Sequence, residues 1–273
     1  MNAAAEVDGA AYWMSENGFF RFTGKLESMD CLVEDYVYND LNTTSNQLIY
    51  CGINNLFGEV MWFYPTSTSN IVDRSVVYSY LDSTPQRPIW YTNASTILRR
   101  TTWQDSSVFG LPHATEYDAD TDTSFDVTGN TDGISYYFEH ETGVNYIKNA
   151  TTYAVPANIT SGDYDITQKI IRGAATSLAD LRGDGENIMR VSRIIPDYIT
   201  QQGTTIIQLD LRDYPNDSSA SSSLGPFSTT SSTTKIDTRA RARAIALTLS
   251  CTAIDSNWKL GTFRLDIHAG GRR

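Results

Sequence analysis

Residues 58–65 are Gly58-Glu59-Val60-Met61-Trp62-Phe63-Tyr64-Pro65, the most distinctive aromatic block in the chain. Large side chains occupy successive positions, so a strand here would present bulk on both faces, as a strand buried between two layers does. Pro65 ends the strand because proline cannot donate a ladder hydrogen bond. After the small polar segment 66–70, the run Val76–Tyr80 can return antiparallel. We therefore predict a hairpin of two buried strands in a β-rich protein.

Strand and turn signals also lie on either side of this block. Ala11–Met14 and Phe19–Phe22 flank the turn former Glu16-Asn17-Gly18, and Ile134–His140 follows a glycine-bounded turn. The aromatic strand starts are unevenly spaced, which fits propeller blades with insertions better than a strict repeat. We predict an all-β fold in which residues 1–160 form propeller-like antiparallel blades with an acidic middle. Few helices are expected, at 34–41 and 174–181.

Residues 161–273 are predicted to form a β-sandwich-like unit. Side-chain polarity alternates along residues 203–212, with Thr205, Ile207, Leu209 and Leu211 on one face. That face is predicted to lie in the core and the other to be exposed to solvent. Residues 217–234 are rich in Ser and Thr and are predicted to form a long loop. A final strand from Trp258 to Ile267 would need a bulge at Gly261 to keep one buried face.

The segment 239–251 is predicted to be one long strand. Its arginines, Arg239, Arg241 and Arg243, share a face with the apolar residues 245, 247, 249 and 251, while alanines occupy the opposite face. The environment of the strand therefore changes midway. A strand whose first half projects beyond its own core, or packs on a neighbouring subunit, has this pattern. The arginine row is a candidate anion site, and inter-subunit salt bridges explain it equally well.

Charge is distributed unevenly. The chain carries −11 in total, whereas residues 235–273 hold eight Lys or Arg against three Asp. Residues 101–147 contain no Lys or Arg and nine acidic residues. Such a surface repels polyanions, so tight nucleic-acid binding there is disfavoured, although passage of DNA without adhesion is not.

The composition of the chain excludes several classes of protein. The apolar and aromatic content is that of a globular protein, and no run of eighteen apolar residues is present, so no membrane span is predicted. The first residues lack a basic region before an apolar stretch, so we expect no secretory signal. Cys31, Cys51 and Cys251 have no metal-ligand spacing and are predicted to be buried free thiols, with one disulfide as the alternative.

A metal site is suggested by one acidic array. Asp118, Asp120 and Asp122 form a D-x-D-x-D pattern, with Asp126 close behind, and carboxylates in a short loop suit calcium. Thr123 and Gly129 stand where an EF-hand needs Gly and Glu, so a solvated acidic loop is the favoured interpretation. No cofactor is predicted.

Catalytic patterns are weak. Glu139 and Glu141 would lie on the same face of a strand, with His140 between them on the other face, and could act as an acid/base pair on a sugar. An ordinary solvent-exposed strand face is the simpler interpretation. Neither G-x-S-x-G nor H-E-x-x-H is present. We therefore predict that the chain is not an enzyme.

Seven segments distributed over most of the chain form an ordered pattern: Asn39–Asn42, Cys51–Pro65, Asp73–Tyr80, Phe138–Gly143, Ile194–Asp197, Trp258–Ile267 and Gly270–Arg273. Together they resemble virion structural proteins of short-tailed bacteriophages. The family comprises tail-nozzle or tail-hub proteins, also called tail tubular protein B or packaged-DNA-stabilising proteins. The chain is similar to the C-terminal part of these longer proteins.

The resemblance implies a role for the whole chain. It implies a ring, sixfold in the family, below the portal and adaptor, with virion tail proteins as partners and DNA in transient passage. The acidic residues are then expected to face a lumen or solvent, and Arg239, Arg241 and Arg243 to face another subunit. Trp62, Tyr64, Tyr78 and Trp258 are expected to be structural core. A carbohydrate-binding or depolymerising tail component and a stand-alone β-sandwich binding module remain as alternatives.

Overall fold

A computed structural model describes residues 3–93, 99–118, 134–166, 187–214 and 220–271. Most of these residues lie in antiparallel sheets, which confirms the all-β prediction. The chain divides into two compact units, Met1–Thr142 and Gly143–Arg273. In the ranges that the structure describes, no helix is long and apolar enough to cross a membrane.

The first unit contains eleven described strands and two short helices. The strands are β1 (Ala4–Val7), β2 (Ala10–Ser15), β3 (Gly18–Phe22), β4 (Leu26–Ser28), β5 (Tyr50–Asn54), β6 (Glu59–Tyr64), β7 (Arg74–Ser79), β8 (Trp90–Asn93), β9 (Thr102–Gln104), β10 (His113–Asp118) and β11 (Ile134–Glu139). The helices are α1 (Glu34–Tyr38), which falls within the predicted 34–41, and a 3-10 helix (Thr43–Leu48).

Three sheets follow the order of the chain. They are β1-β2-β3-β4, β5-β6-β7-β8 and β11-β10-β9, each an antiparallel meander. The predicted hairpins form in β2–β3 and in β6–β7, where Met61 lies opposite Val77. The first strand of the second sheet, β5, contacts the first strands of the other two, β1 and β9.

The β6 strand is buried on both faces, as its sequence predicts. One face enters a core shared with the β1–β4 sheet, and it carries Val60, Trp62 and Tyr64. The other face enters a second core with Trp103 and Ala114 of the β9–β11 sheet, and it carries Met61 and Phe63. Trp62 is fully buried, and its indole N–H donates to the carbonyl oxygen of Ala3 at 3.0 Å. Tyr64 and Tyr78 are also buried.

The second unit contains the remaining strands. They are β12 (Asn145–Lys148), β13 (Thr151–Ala154), β14 (Ala157–Thr160), β15 (Met189–Ile195), β16 (Tyr198–Gln202), β17 (Thr205–Arg212), β18 (Ser222–Thr229), β19 (Ile236–Ala242), β20 (Ala244–Cys251), β21 (Asn257–Leu260) and β22 (Arg264–Ala269). Because β14 pairs with β20, residues 157–160 belong to this unit, and the division of the chain lies earlier than the predicted boundary at residue 160.

Two sheets of the second unit share one hydrophobic core. The four-stranded sheet has the order β14-β20-β17-β18 and the three-stranded sheet the order β19-β15-β22. Ile207 and Leu209 from the first sheet, and Met189 and Val191 from the second, are fully buried in this core. Two-layer packing of this kind is that of a β-sandwich. Two further hairpins, β12–β13 and β16–β21, complete the unit.

The prediction of one strand over 239–251 is wrong. The chain leaves the three-stranded sheet after Ala242 and enters the four-stranded sheet at Ala244, with a bend at Arg243. Even-numbered residues are therefore buried in β19, and mainly odd-numbered residues in β20. The change of environment in the sequence marks a change of sheet within one subunit.

Two other predictions in this unit need correction. Residues 222–229 are not a loop but the edge strand β18, because Leu224 and Phe227 pack on the core and the backbone pairs with β17. Pro226 is accommodated at a bulge of this edge strand. Trp258 and Ile267 lie in separate strands, β21 and β22, of different sheets, so no single bulged strand exists. The helix predicted at 174–181 lies outside the described residues.

Candidate anion-binding face

The exposed face of the β19-β15-β22 sheet carries a group of arginines. In β19, small residues alternate with arginines, so that Ala240 and Ala242 are buried while Arg239 and Arg241 point outward. The alanines fit there because Met189 and Val191 of the neighbouring strand fill the core beneath the sheet. The alternation of the sequence thus separates a small-residue core face from a cationic outer face.

Arg190 completes the group, and sequence analysis did not single it out. Its Cα pairs with that of Arg241 on one side and with that of His268 on the other, so the three side chains share a face. The local signal was the alternation Met189-Arg190-Val191, exposed between two buried residues. We call Arg190, Arg239 and Arg241 the arginine face.

The arginine face surrounds an open depression. Together with Gly270 these side chains line a volume of about 420 Å³. In the described part of the chain, none of the three arginines has an ion-pair partner. Like charges directly opposite one another on a sheet are destabilising, so the face favours an anion between them.

A paired arginine borders this face. Arg193 lies 3.0 Å from a carboxylate oxygen of Asp237 and 3.3 Å from one of Asp266. The hydrogen bond from Lys235, then that from Arg193, and the charges of both lower the pKa of Asp237. Positive charge is therefore neutralised at Arg193 and left uncompensated at the arginine face.

Arg243 does not belong to the arginine face. It lies at the bend between β19 and β20, is half-buried and has an interaction partner, and its backbone N–H donates to the carbonyl oxygen of Arg212. Of the predicted row, only Arg239 and Arg241 share the outer surface with Arg190.

The predicted acidic surface is described only in part. Asp120, Asp122 and Asp126 lie outside the described residues, and Asp118 is placed only as the end of β10. Glu139 and Glu141 are exposed, but β11 ends at Glu139, so they do not form the predicted pair on one strand face. Among the residues the structure describes, no three His, Cys, Asp or Glu side chains are grouped as a metal ion requires.

Glu141 instead interacts with Glu59 of β6. The buried amide of Asn54 donates to Glu141 at 3.1 Å, and the hydroxyl of Tyr91 donates to Glu59. Burial, followed by the charges of Glu141 and Asp82, raises the pKa of Glu59 against the opposing effect of that hydroxyl. Partial burial of its carboxylate also raises the pKa of Glu141, against the opposing effect of the Asn54 hydrogen bond. Both shifts disfavour the charged form of these carboxylates.

One acidic residue of the segment 101–147 is fully buried. Glu116 accepts a hydrogen bond from Arg100 at 2.6 Å, and Arg100 also donates to Nε2 of His140 at 2.8 Å and lies over the ring of Phe138. Burial, and then the charge of Arg100, lowers the pKa of His140 to about 3. Arg100 and Glu116 are buried at the centre of this cluster, so Glu116 is not part of an acidic outer surface.

An aromatic group lies on the exposed face of the same sheet. His113 stacks on Tyr137 with ring centroids 5.2 Å apart, and Phe109 contacts His113 edge-on at 4.9 Å. Tyr137 and Phe109 are 66% and 57% exposed. Trp258, predicted to be core, is only partly buried at the margin of the second-unit core.

The cysteines are free thiols, as predicted. Cys51 and Cys251 are buried and Cys31 is half-buried, and none forms a disulfide. Burial raises the pKa of Cys31 to about 12, so its thiol is protonated and unreactive at neutral pH.

No protein-family model matches this chain. No curated protein matches it in sequence either.

Proposed function

We propose that this chain is a structural component of the tail of a short-tailed bacteriophage. In this proposal it belongs to the nozzle or hub ring below the portal and adaptor, forms part of the DNA-ejection channel and helps to retain packaged DNA. The ordered resemblance of its segments to that family carries the proposal. The role requires neither catalysis nor a cofactor, and it places the protein in the virion after synthesis in the host cytoplasm.

The arrangement of the first unit supports this proposal. Propellers are built from antiparallel meanders around a centre. Here three consecutive meanders have first strands that contact one another, β1 with β5 and β5 with β9. We propose that these meanders are propeller-like blades, with the segment containing Trp62 as the middle one.

The charge distribution also supports a channel component. Each cationic contact to a phosphate adds affinity through counterion release, so a channel for DNA should expose few of them. The segment 101–147 contains no Lys or Arg. The arginine face, in contrast, lies in the second unit, where the proposal assigns it to contacts between subunits in a homo-oligomeric ring.

The direct test is electron microscopy of the purified chain, alone and mixed with the portal and adaptor proteins of the same virus. We expect rings, or incorporation into a ring, and we expect antibodies against the chain to label the tails of intact particles. A chain that stays monomeric in every mixture and is missing from purified virions contradicts the proposal and leaves a stand-alone binding module.

The exposed aromatic group favours one second candidate, a carbohydrate-binding tail component. Aromatic rings at a surface stack on sugar faces, and Glu139, opposite His113 in the sheet, supplies an acceptor for sugar hydroxyls. Binding of host surface polysaccharide, measured by glycan array and calorimetry, tests this function. Tyr137→Ala should abolish binding, whereas Tyr153→Ala, which removes another exposed tyrosine, should not.

A further inference from the structure

The arginine face lacks counter-charge within the described part of its own chain. Four other arginines have acidic partners: Arg21 with Glu27, Arg100 with Glu116, Arg193 with Asp237 and Asp266, and Arg212 with Asp163. Arg190, Arg239 and Arg241 have none there, although Arg190 and Arg241 are directly opposed in the sheet. Such an arrangement is stabilised when an anion lies between the guanidinium groups.

The chemistry of the group restricts the ligand. Guanidinium groups bind carboxylates and phosphates with two parallel hydrogen bonds. The three side chains surround an open depression rather than an enclosed cavity. A surface of this shape suits a row of anionic groups on a macromolecule.

We propose that the arginine face binds carboxylates on the first unit of a second copy of this chain. This inference rests on the proposed function, since it names the partner surface within the proposed ring. The first unit is the acidic part of the chain: residues 1–142 hold 20 Asp or Glu against six Lys or Arg, a net −14, whereas residues 143–273 hold 15 Lys or Arg against 12 Asp or Glu, a net +3. Exposed carboxylates of its described part include Glu6, Asp8, Glu16, Asp35 and Glu139.

The border of the face favours a protein partner over nucleic acid. Asp237 and Asp266 lie on the same exposed side of the sheet, beside Arg193. Phosphates of a nucleic acid running across the sheet would meet these carboxylates and be repelled. A protein surface can place acidic side chains on the arginine face and neutral or basic ones on the border.

Such a contact is head-to-tail, because the cationic patch and the acidic patch are different surfaces of one chain. Heterologous contacts of this type generate rings when the rotation closes. Since the charges are exposed in the free chain, association should weaken as salt rises.

The test compares self-association of four forms of the full chain, the wild type and three double variants, by sedimentation velocity at low and high salt. Arg190→Glu/Arg241→Glu reverses the arginine face. The control Lys25→Glu/Arg87→Glu makes the same change in net charge at two exposed residues of the first unit. We expect the first variant to associate about tenfold or more weakly than the wild type, and the control to differ far less. Arg190→Ala/Arg241→Ala should lie between them, with circular dichroism confirming that each variant is folded.

Three results overturn the inference. If the wild type associates but the reversed variant is unchanged, the arginine face is not the contact, while the proposed ring stands. If duplex DNA, followed by fluorescence anisotropy, binds the wild type and not the reversed variant while association is unchanged, the ligand is nucleic acid. If the wild type is monomeric at every concentration and with the tail proteins, the proposed ring fails together with this inference.

Discussion

Arg100 donates to Glu116 across 2.6 Å inside the β9–β11 sheet, with side chains only 3% and 2% exposed. The pair lies at the start of the most acidic part of the sequence, where solvent-facing carboxylates were expected. A buried charge without its partner is strongly unfavourable. This acidic residue therefore serves the stability of the first unit.

Removing one member of that pair should destabilise the protein. We expect Glu116→Gln to lower the free energy of unfolding by about 3–5 kcal/mol, because Arg100 keeps a buried charge. Asp237→Asn breaks an ion pair that is largely exposed and should cost less than about 1 kcal/mol. Urea denaturation measures both. Equal losses in the two variants would show that burial does not govern this pair.

His140 should make stability depend on pH in the acidic range. Its pKa in the folded state, about 3, lies below the ordinary value of 6.5. Between these two values the unfolded chain binds a proton at His140 and the folded chain does not. The stabilising contribution of the neutral ring is complete above pH 6.5 and is lost progressively as pH falls toward 3. His140→Gln, whose amide oxygen can still accept from Arg100, should show a flatter profile of unfolding free energy between those values. An unchanged profile would exclude His140 as the titrating group.

Glu59 should have the opposite effect on stability. Its pKa is raised in the folded state by burial and by Glu141 and Asp82, so the destabilising charged form appears as pH rises through that value. We expect Glu59→Gln, which can still accept from Tyr91, to stabilise the protein at neutral pH and to have a smaller effect in acid. Thermal unfolding at two pH values tests this. Glu16→Gln, at an exposed turn, is the control and should leave stability unchanged at both.

A side chain at Gly52 should lower the stability of the first unit. A Cβ there would lie 2.8 Å from Cβ of Trp103, and Trp103 is buried with its indole N–H donating to the carbonyl oxygen of Ile53 at 2.7 Å. Gly52→Ala should cost about 1–3 kcal/mol by overpacking and should shift tryptophan fluorescence. Gly162→Ala, with nothing within 4 Å, is the matched control. A fluorescence spectrum and stability equal to wild type in Gly52→Ala would contradict the packing argument.

The sequence predicts those elements whose pattern is local. The β6–β7 hairpin is predictable because every position of β6 is filled by a side chain that needs burial, and β17 because its alternation is regular. The bend at Arg243 is not predictable from the sequence. The alternation of side chains on either side of it fits one continuous strand as well as it fits two strands. Arg190 beside Arg241, and Glu59 beside Glu141, depend on register between strands far apart in the chain, which no local pattern determines.

The double burial of β6 has a consequence for unfolding of the first unit. Val60, Trp62 and Tyr64 fill one core, and Met61 and Phe63 fill the other. Loss of either core exposes one whole side of a strand that the other core needs, so the two cores are thermodynamically coupled. The three sheets of this unit should melt in a single cooperative transition, with no state in which one core survives alone.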